Sequence, residues 1–247
     1  ITDNAAANII EINVLGDSTL SGSNDLASTN GNVTVTITDG KVLDLAQEMT
    51  IGAAGKFVLG TGAAGGTLRT TGADTHVGLV QGFADGVGTL DINAATTMTS
   101  IIGGSSKSLA MIDIGAATTF SAAVTATTVN FSGAHIATIT AATGANFEAT
   151  TAGQGTILTA GNLTITGNIG ATNKLKLIDI NHNVTVTGSI DATTVEVINA
   201  KTLTTTADKD ITGNFLFSGD GSLILADGSD ITGAITATTT NNGNITV

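Results

Sequence analysis

The sequence of 247 residues lacks cysteine, proline, tryptophan and tyrosine altogether. Without cysteine, the chain has neither a disulfide framework nor a thiol nucleophile. Only 3% of the residues are aromatic, although compact cores usually obtain much of their buried area from large aromatic side chains. No run of eighteen apolar residues occurs, so the sequence predicts no membrane-spanning helix. These absences argue against an ordinary compact domain.

Basic residues are also scarce. Eight Lys and Arg residues stand against twenty Asp and Glu residues, which gives a net charge of −12 and a sequence pI of about 4.2. Nucleic-acid binding requires clustered Lys and Arg to neutralise phosphates. We therefore expect no nucleic-acid partner, and the acidic, lysine-poor composition favours an extracellular setting.

What the chain does contain is glycine, 32 residues of it, with threonine, alanine, asparagine, isoleucine and valine. Disordered chains have low hydrophobicity and few β-branched residues, whereas this chain is 41% hydrophobic with a mean hydropathy of +0.35. Small and β-branched apolar residues suit a thin core of stacked, similar side chains, such as the interior of a β-helix.

A pentad of glycine, a small polar residue and an apolar–polar–apolar triplet recurs along the chain. Alternation with a period of two indicates a half-buried strand, and the preceding glycine indicates a turn. The copies are Gly31–Val35, Gly88–Ile92, Gly161–Ile165 and Gly243–Val247, with Gly221–Leu225 as a looser one.

A second repeat, Thr-Gly-x-apolar, indicates the length of the repeating unit. It begins at Thr166, Thr187, Thr212 and Thr232, at steps of 21, 25 and 20 residues. A period near twenty with several short strands matches one coil of a solenoid. The sequence therefore predicts an all-β, right-handed parallel β-helix with coils of about 20 residues. About twelve coils at roughly 4.8 Å each would extend about 55–60 Å. A β-sandwich is the less favoured alternative, because its strands need no such period.

We interpret residues 1–247 as a single β-helical segment with an irregular, glycine-rich region at 52–88. That region holds eleven of the 32 glycines and is interpreted as coils with wide turns. Its apolar residues are candidates for the core, namely Leu59, Leu68, Val77, Leu79 and Val80. The best local helix candidate is Val42–Met49. The chain starts at Ile1 without methionine, and we expect it to be part of a longer protein.

Motifs that would carry chemistry are weak. His76, His135 and His182 have no metal-ligand spacing, and we expect each at a turn or on the surface. Gly60-x-Gly62-x-x-Gly65 matches the form of a dinucleotide-binding loop, but no helix-forming run follows it.

Acidic residues cluster near predicted turns in the last fifth of the chain. They lack the tandem spacing of calcium-binding β-rolls, so we interpret them as turn formers. The residues concerned are Asp208, Asp210, Asp220, Asp227 and Asp230. Overall, the sequence predicts no enzyme, and no catalytic, cofactor-binding or metal-binding residues.

Two phrases in the last third of the chain resemble a known family. Asn162–Leu175 resembles the "vTGNIGnTNaL" phrase of rickettsial surface autotransporters, and Thr185–Asp191 resembles their "vTGaID" phrase. The family is the rickettsial outer-membrane-protein A/B, or surface cell antigen, group, and the match covers 161–237.

The resemblance implies a passenger segment that is secreted through its own C-terminal translocator barrel, which lies outside this chain. Such passengers form β-helical structures on the cell surface, at the outer membrane, and act in adhesion to host cells, in invasion and in surface layers. The implied partner is an unidentified host cell-surface protein. Exposed end coils also make self-association possible.

The sequence is also compatible with two other functions. A β-helical polysaccharide-degrading enzyme would show converging carboxylates beside a cleft. A purely structural surface-layer protein would show smooth faces and no receptor binding.

Overall fold

The computed structural model describes residues 10–21, 24–26, 33–52, 54–239 and 243–247. The described part is all-β, and its parallel strands stack as a β-solenoid of about 11 turns with about 21 residues per turn. This confirms the predicted parallel β-helix with coils of about 20 residues. None of the described residues forms a helix long and apolar enough to cross a membrane. The chain divides into two compact units, 1–128 and 129–247.

Unit 1 contains fourteen strands among its described residues, all of them short. They are β1 (Ile10–Val14), β2 (Ser18–Leu20), β3 (Asn24–Leu26), β4 (Val33–Ile37), β5 (Val42–Leu45), β6 (Met49–Ile51), β7 (Lys56–Leu59), β8 (Thr67–Thr70), β9 (Thr75–Val77), β10 (Leu79–Gly82), β11 (Thr89–Ile92), β12 (Thr96–Met98), β13 (Leu109–Ile114) and β14 (Thr118–Phe120).

Each early coil of unit 1 contributes one strand to each of three parallel sheets. Sheet A has the order β1-β4-β7-β10, sheet B includes β2-β5-β8-β11-β13, and sheet C includes β3-β6-β9-β12-β14. Neighbouring strands in each sheet come from successive coils, so nearly all pairing in this unit is between one coil and the next.

Strand β15 (Val124–Phe131) contains the boundary between the units. The later strands belong to unit 2. They are β16 (Ile136–Ile139), β17 (Thr143–Ala149), β18 (Gln154–Thr159), β19 (Leu163–Thr166), β20 (Leu175–Ile180), β21 (Val184–Val186), β22 (Ile190–Ile198), β23 (Thr202–Thr205), β24 (Ile211–Ser218), β25 (Ser222–Ile224), β26 (Ile231–Thr232), β27 (Ile235–Ala237) and β28 (Asn244–Thr246).

Unit 2 has two long parallel sheets. Sheet D has the order β17-β19-β21-β23-β25-β28, and sheet E has the order β16-β18-β20-β22-β24-β26, with β27 also paired to β24. A narrower third face is formed by bridges that link Phe147, Ile169 and Ile190 in successive coils, and it continues through the pairing of Ile190 with Ile211.

The core consists of columns of in-register apolar side chains, as the composition predicts. In sheet B, one column contains Leu43, Leu68, Leu90 and Ile112, and each is at most 2% exposed. Complete burial of such a side chain stabilises the fold by about 1.5–3 kcal/mol. In sheet D, a similar column contains Leu163, Val184, Leu203 and Leu223.

The pentads lie at the entry to strands, as predicted. Four of them lead into β11, β19, β25 and β28. In the remaining copy Gly31 and Asn32 lie outside the described residues, and its apolar–polar–apolar triplet begins β4. At Gly161 a Cβ atom would lie only 2.2 Å from the Thr140 carbonyl oxygen of the preceding coil. Glycine is therefore required there by the close approach of two backbones.

The Thr-Gly tetrads occupy two different corners of the coil. Ile169 and Ile190 from the first two are bridged partners, whereas Phe215 and Ile235 from the last two pair on sheet E. The step of 25 residues from Thr187 to Thr212 is therefore longer than one coil, because the third tetrad lies at the next corner. Gly213 has a φ of 132°, and a Cβ there would meet the Ala192 carbonyl oxygen at 1.8 Å.

The best local helix candidate, Val42–Met49, does not form a helix. This segment forms β5 and the start of β6, and Leu43 and Leu45 both point into the core. Pairing with β8 in the next coil outweighs the weak local preference of this short apolar stretch.

The glycine-rich region at 52–88 contains regular strands, from β7 to β10. Its predicted core residues divide into two groups. Leu59, Leu68 and Val80 are fully buried. The prediction is wrong for Val77 and Leu79, which are only half-buried, because strand alternation places their neighbours inward.

Candidate functional site

A ladder of side-chain oxygens follows one corner of unit 2. The amide oxygen of Asn146 accepts a hydrogen bond from the backbone N–H of Asn168 at 2.9 Å, and Asn168 Oδ1 accepts from Ser189 N–H at 3.0 Å. Ser189 Oγ accepts from Asp210 N–H, and Asp210 Oδ1 accepts from Asp230 N–H. Each bond joins equivalent positions in successive coils, so this corner ladder fixes the stacking register.

The pentad contributes a second ladder in unit 2. Asn162 Oδ1 accepts from Asn183 N–H, and Asn183 Oδ1 accepts from Thr202 N–H, both at 3.0 Å. Net contributions near 1 kcal/mol are typical of such hydrogen bonds. Asn162 and Asn168 of the phrase 162–175, and Ser189 of the phrase 185–191, are therefore accounted for by coil stacking.

In unit 1, carboxylates make the corresponding turn contacts. Asp17 Oδ1 accepts from Val42 N–H at 3.1 Å, and Asp85 Oδ1 accepts from Ser108 N–H at 3.2 Å. The Ser108 hydroxyl also bonds Asp85. Both hydrogen bonds lower the pKa of Asp85, and the one from the Ser108 hydroxyl has the larger effect.

The loop with the dinucleotide-loop pattern holds an anion that belongs to the chain itself. Thr61 N–H and Gly62 N–H donate to Asp39 Oδ1 at 2.8 and 3.0 Å. These amides, with those of Ala64 and Gly65, lower the pKa of Asp39, and Thr61 has the largest effect. The amide cradle that could face a phosphate is thus occupied by a carboxylate from the preceding coil.

The acidic residues predicted at turns are found there in part. Asp208 has a φ of 58° in a turn, and Asp210 belongs to the corner ladder. Asp220 N–H donates to Asn199 Oδ1. Within the described ranges, no group of three or more His, Cys, Asp or Glu side chains is placed to hold a metal ion.

The three histidines have different environments. His135 and His182 are half-buried in connecting segments, as expected for turn positions. The prediction for His76 is wrong, because this residue is only 2% exposed and lies in the core of unit 1. Burial lowers the pKa of His76, and the Asp74 charge opposes that shift.

A row of charges crosses the outer surface of sheet B. Asp44, Arg69 and Asp91 are register partners on successive strands. Arg69 Nε lies 2.7 Å from Asp91 Oδ2, and Arg69 Nη1 lies 3.6 Å from Asp44 Oδ1. The hydrogen bond to Asp91 raises the Arg69 pKa. Because the row is partly exposed, it contributes at most about 1 kcal/mol.

The outer surface of sheet E carries a pair of carboxyl groups. Asp179 and Glu196 are register partners on β20 and β22, and the Ser218 hydroxyl donates to Glu196 Oε1. Asp179 Oδ1 is buried and has no hydrogen-bond partner. Burial raises the pKa of Asp179, and the charge of Glu196 raises it further by a smaller amount.

Half-buried apolar side chains surround this pair on the same sheet. Leu158, in the preceding coil, pairs with Asp179. Leu216, in the following coil, pairs with Glu196. Leu177 lies in the adjacent outward row, and Ile136 at its edge is 45% exposed. We call the six residues Ile136, Leu158, Leu177, Asp179, Glu196 and Leu216 the sheet E patch. The sequence contains a signal for it, namely the related triplets Ile178–Ile180 and Val195–Val197 with a central acid.

No protein-family model, curated protein or solved structure matches this chain. The fold is therefore established by the structure itself.

Proposed function

We propose that this chain is a non-catalytic, surface-exposed passenger segment of a bacterial autotransporter, acting in adhesion to and invasion of host cells and in surface-layer structure. The observation that carries the proposal is the coil-by-coil pairing, in which nearly every strand bonds only to the preceding and following coils. A solenoid of this kind can fold progressively from one end. Progressive folding suits a chain that emerges unfolded through a translocator at the outer membrane.

The resemblance of 161–237 to rickettsial autotransporter passengers supports the same proposal. Residues of its phrases take part in both ladders of unit 2. Asn168 and Ser189 belong to the corner ladder, and Asn162 belongs to the second ladder. A chain without cysteine also has no thiol that could be oxidised outside the cell.

The sheet E patch is the surface that we assign to host-cell contact. It combines partly exposed apolar area with two carboxyl groups at its centre, and exposed apolar patches are typical of protein-binding sites. The occupant would be an unidentified host cell-surface protein that contributes apolar side chains and a basic group.

The test is to display the chain on a Gram-negative bacterium by fusing it upstream of a translocator barrel. Protease accessibility on intact cells measures export, and counting bacteria bound to host-cell monolayers measures adhesion. We expect exported protein and adhesion above that of cells displaying the barrel alone. Failure of export would contradict the passenger assignment.

Matched variants separate adhesion from a purely structural role. Leu177→Lys with Leu216→Lys should abolish adhesion, because both variants place a charge in the sheet E patch. Export should not fall, because both side chains lie on the outer surface of the sheet. Thr185→Lys with Thr204→Lys places the same charges on the outer row of sheet D and should leave adhesion unchanged. Export without adhesion in the unmodified chain would favour the surface-layer alternative.

Self-association is a further part of the proposal. Apolar side chains that face outward on unit 2 provide surface for a second copy, since Ile136, Ile224 and Ile235 are 45%, 40% and 47% exposed. Light scattering over a range of concentrations measures association, and a monomer at high concentration would contradict it.

The second candidate is a β-helical polysaccharide-degrading enzyme, and the Asp179–Glu196 pair is the observation that favours it. Two neighbouring carboxyl groups, one of which has a raised pKa, are an arrangement that glycoside hydrolysis uses. The assay is the release of reducing ends from neutral and acidic polysaccharides. Activity that is lost in Asp179→Asn would establish this function, whereas equal release by both proteins would exclude the pair as its source.

A further inference from the structure

The core of unit 1 contains an unusual column of side chains on sheet C. His76 pairs in register with Met49 on one side and with Met98 on the other. Their exposed fractions are 1% for Met49 and 2% each for His76 and Met98. Two of the three methionines of the chain thus flank its one fully buried histidine among the described residues.

The imidazole of His76 has no polar partner in this column. Neither Nδ1 nor Nε2 makes a hydrogen bond, although both atoms are buried. Buried polar atoms are nearly always satisfied, and each exception calls for an explanation. An imidazole held neutral is also the form that binds a metal ion.

The chemistry of the three side chains is selective. Thioether sulfur is a soft ligand that prefers Cu(I) and related ions, and imidazole also suits copper. Zn²⁺ prefers thiolate, imidazole and carboxylate ligands, and the register partners of His76 supply neither thiolate nor carboxylate. Methionine is unbranched and flexible, so a sulfur can bridge the strand spacing of roughly 4.8 Å toward the central imidazole.

We propose that Met49, His76 and Met98 form a binding site for a soft monovalent cation, Cu(I) or Ag(I), inside unit 1. The two thioether sulfurs and one imidazole nitrogen supply three neutral ligands, which is a coordination number that these ions accept. The ion satisfies a ring nitrogen that otherwise has no partner. It also joins three successive coils, and so it stabilises the stacking in this part of the solenoid.

The test uses Ag(I), added as silver nitrate in chloride-free buffer, because it needs no reductant. The full chain is titrated directly and also after refolding in the presence of Ag(I), so that the ion need not enter a closed core. Nitrogen-15 NMR of the histidine side chains reports which ring binds. We expect one tightly bound ion per chain, a shifted resonance for His76, and a higher unfolding temperature.

Substitutions of similar volume identify the ligands. Met49→Leu with Met98→Leu removes both sulfurs while keeping the core filled. It should weaken Ag(I) binding by more than the roughly 10–100-fold typical of losing an outer-shell partner. The matched control is Met111→Leu, which removes the remaining methionine from an outward-facing position that is 39% exposed; binding should not change.

Two results would overturn the proposal. One is unchanged Ag(I) affinity in the double leucine variant. The other is an NMR shift confined to His135 or His182 in the unmodified chain. The NMR result decides the question even where the double variant fails to fold, since it requires no substitution.

Discussion

The two units have the same strand geometry, but they differ in the side chains that accept hydrogen bonds between successive coils. In unit 1, carboxylates accept most of the side-chain hydrogen bonds from backbone N–H groups that join the coils at their turns, with Asp17, Asp39 and Asp85 as acceptors. The hydroxyls of Ser100 and Ser108 accept two more. In unit 2, most of the equivalent acceptors are uncharged amides and hydroxyls, such as Asn168 and Ser189. Both types of oxygen satisfy a backbone N–H, so the fold tolerates either. They differ in their response to pH, because only the carboxylates can be protonated.

Both cores bury threonines, but among the described residues only the core of unit 1 contains a histidine. Unit 1 buries a histidine and the contacting hydroxyls of Thr70 and Thr96, which lie 3.2 Å apart. The central columns of sheet E in unit 2 are mainly aliphatic and aromatic, and Phe215 and Phe217 lie in contact there. We therefore expect unit 1 to lose more stability from acid than unit 2.

The largest effect is expected from truncating the unit 2 core. Phe215 is fully buried, and its ring centroid lies 4.9 Å from that of Phe217. Phe215→Ala should lower the free energy of unfolding by about 3–5 kcal/mol because it leaves a cavity. Phe83→Ala is the control in unit 1, where the side chain is 44% exposed. Urea denaturation measures both, and equal losses would contradict the assignment of the core.

A smaller effect is expected from the corner ladder of unit 2. Asn168→Ala removes the acceptor of Ser189 N–H and should cost about 1 kcal/mol. Thr164→Ala, on the outer row of sheet D in the same coil, should cost less. Hydrogen exchange at Ser189 provides the local measurement. Unchanged protection of that amide would show that the ladder does not hold the corner.

The pH dependence of unit 1 is expected to depend on Asp39. Its folded pKa lies below the ordinary value of 3.8, so its contribution is present above that value and is lost as the pH falls through the folded pKa. Asp39→Asn keeps the oxygen acceptor and removes the charge. Acid titration of stability should therefore be less steep below about pH 4 in this variant. An unchanged slope would contradict the role of the carboxylate.

In unit 2, the pH dependence of stability that Asp179 contributes should have the opposite sign. The folded pKa of Asp179 is raised above 3.8, so its ionisation destabilises the fold as the pH rises through the folded pKa. Asp179→Asn should therefore stabilise unit 2 at neutral pH and have little effect in acid. The check is thermal unfolding at both pH values, and destabilisation at neutral pH would refute this assignment.

The smallest effect is expected from the ion pairs on sheet B. Arg69→Met should cost no more than about 1 kcal/mol, and the cost should shrink at high salt. Thermal unfolding at two salt concentrations measures it. A loss that is larger and independent of salt would mean that Arg69 acts through packing instead of charge.

The repeating pattern made the coil predictable, because alternation and spacing are properties of the sequence alone. Which residues face inward was less predictable in the glycine-rich region. His76 and Val77 are equally compatible with an inward position, and the register partner Met49 in the preceding coil decides between them. Local pattern cannot contain that information.

The sheet E patch was missed for a related reason. Asp179 and Glu196 are separated by only 17 residues, a coil shorter than the period that the tetrads indicate. Their pairing became evident only from the strand register. The Gly60–Gly65 loop illustrates the converse, since its amides do bind an anion, and the anion is Asp39 of the same chain.

The most direct test of the contrast between the units is hydrogen exchange of the unmodified chain, analysed by mass spectrometry as protection factors. We predict that acidification from about pH 7 to about pH 3 lowers protection in unit 1, because His76, Asp39 and Asp85 all have folded pKa values below their ordinary ones. Protection in unit 2 should be retained, because its corners depend mainly on uncharged acceptors. Equal loss of protection in both units, or earlier loss in unit 2, would contradict this account.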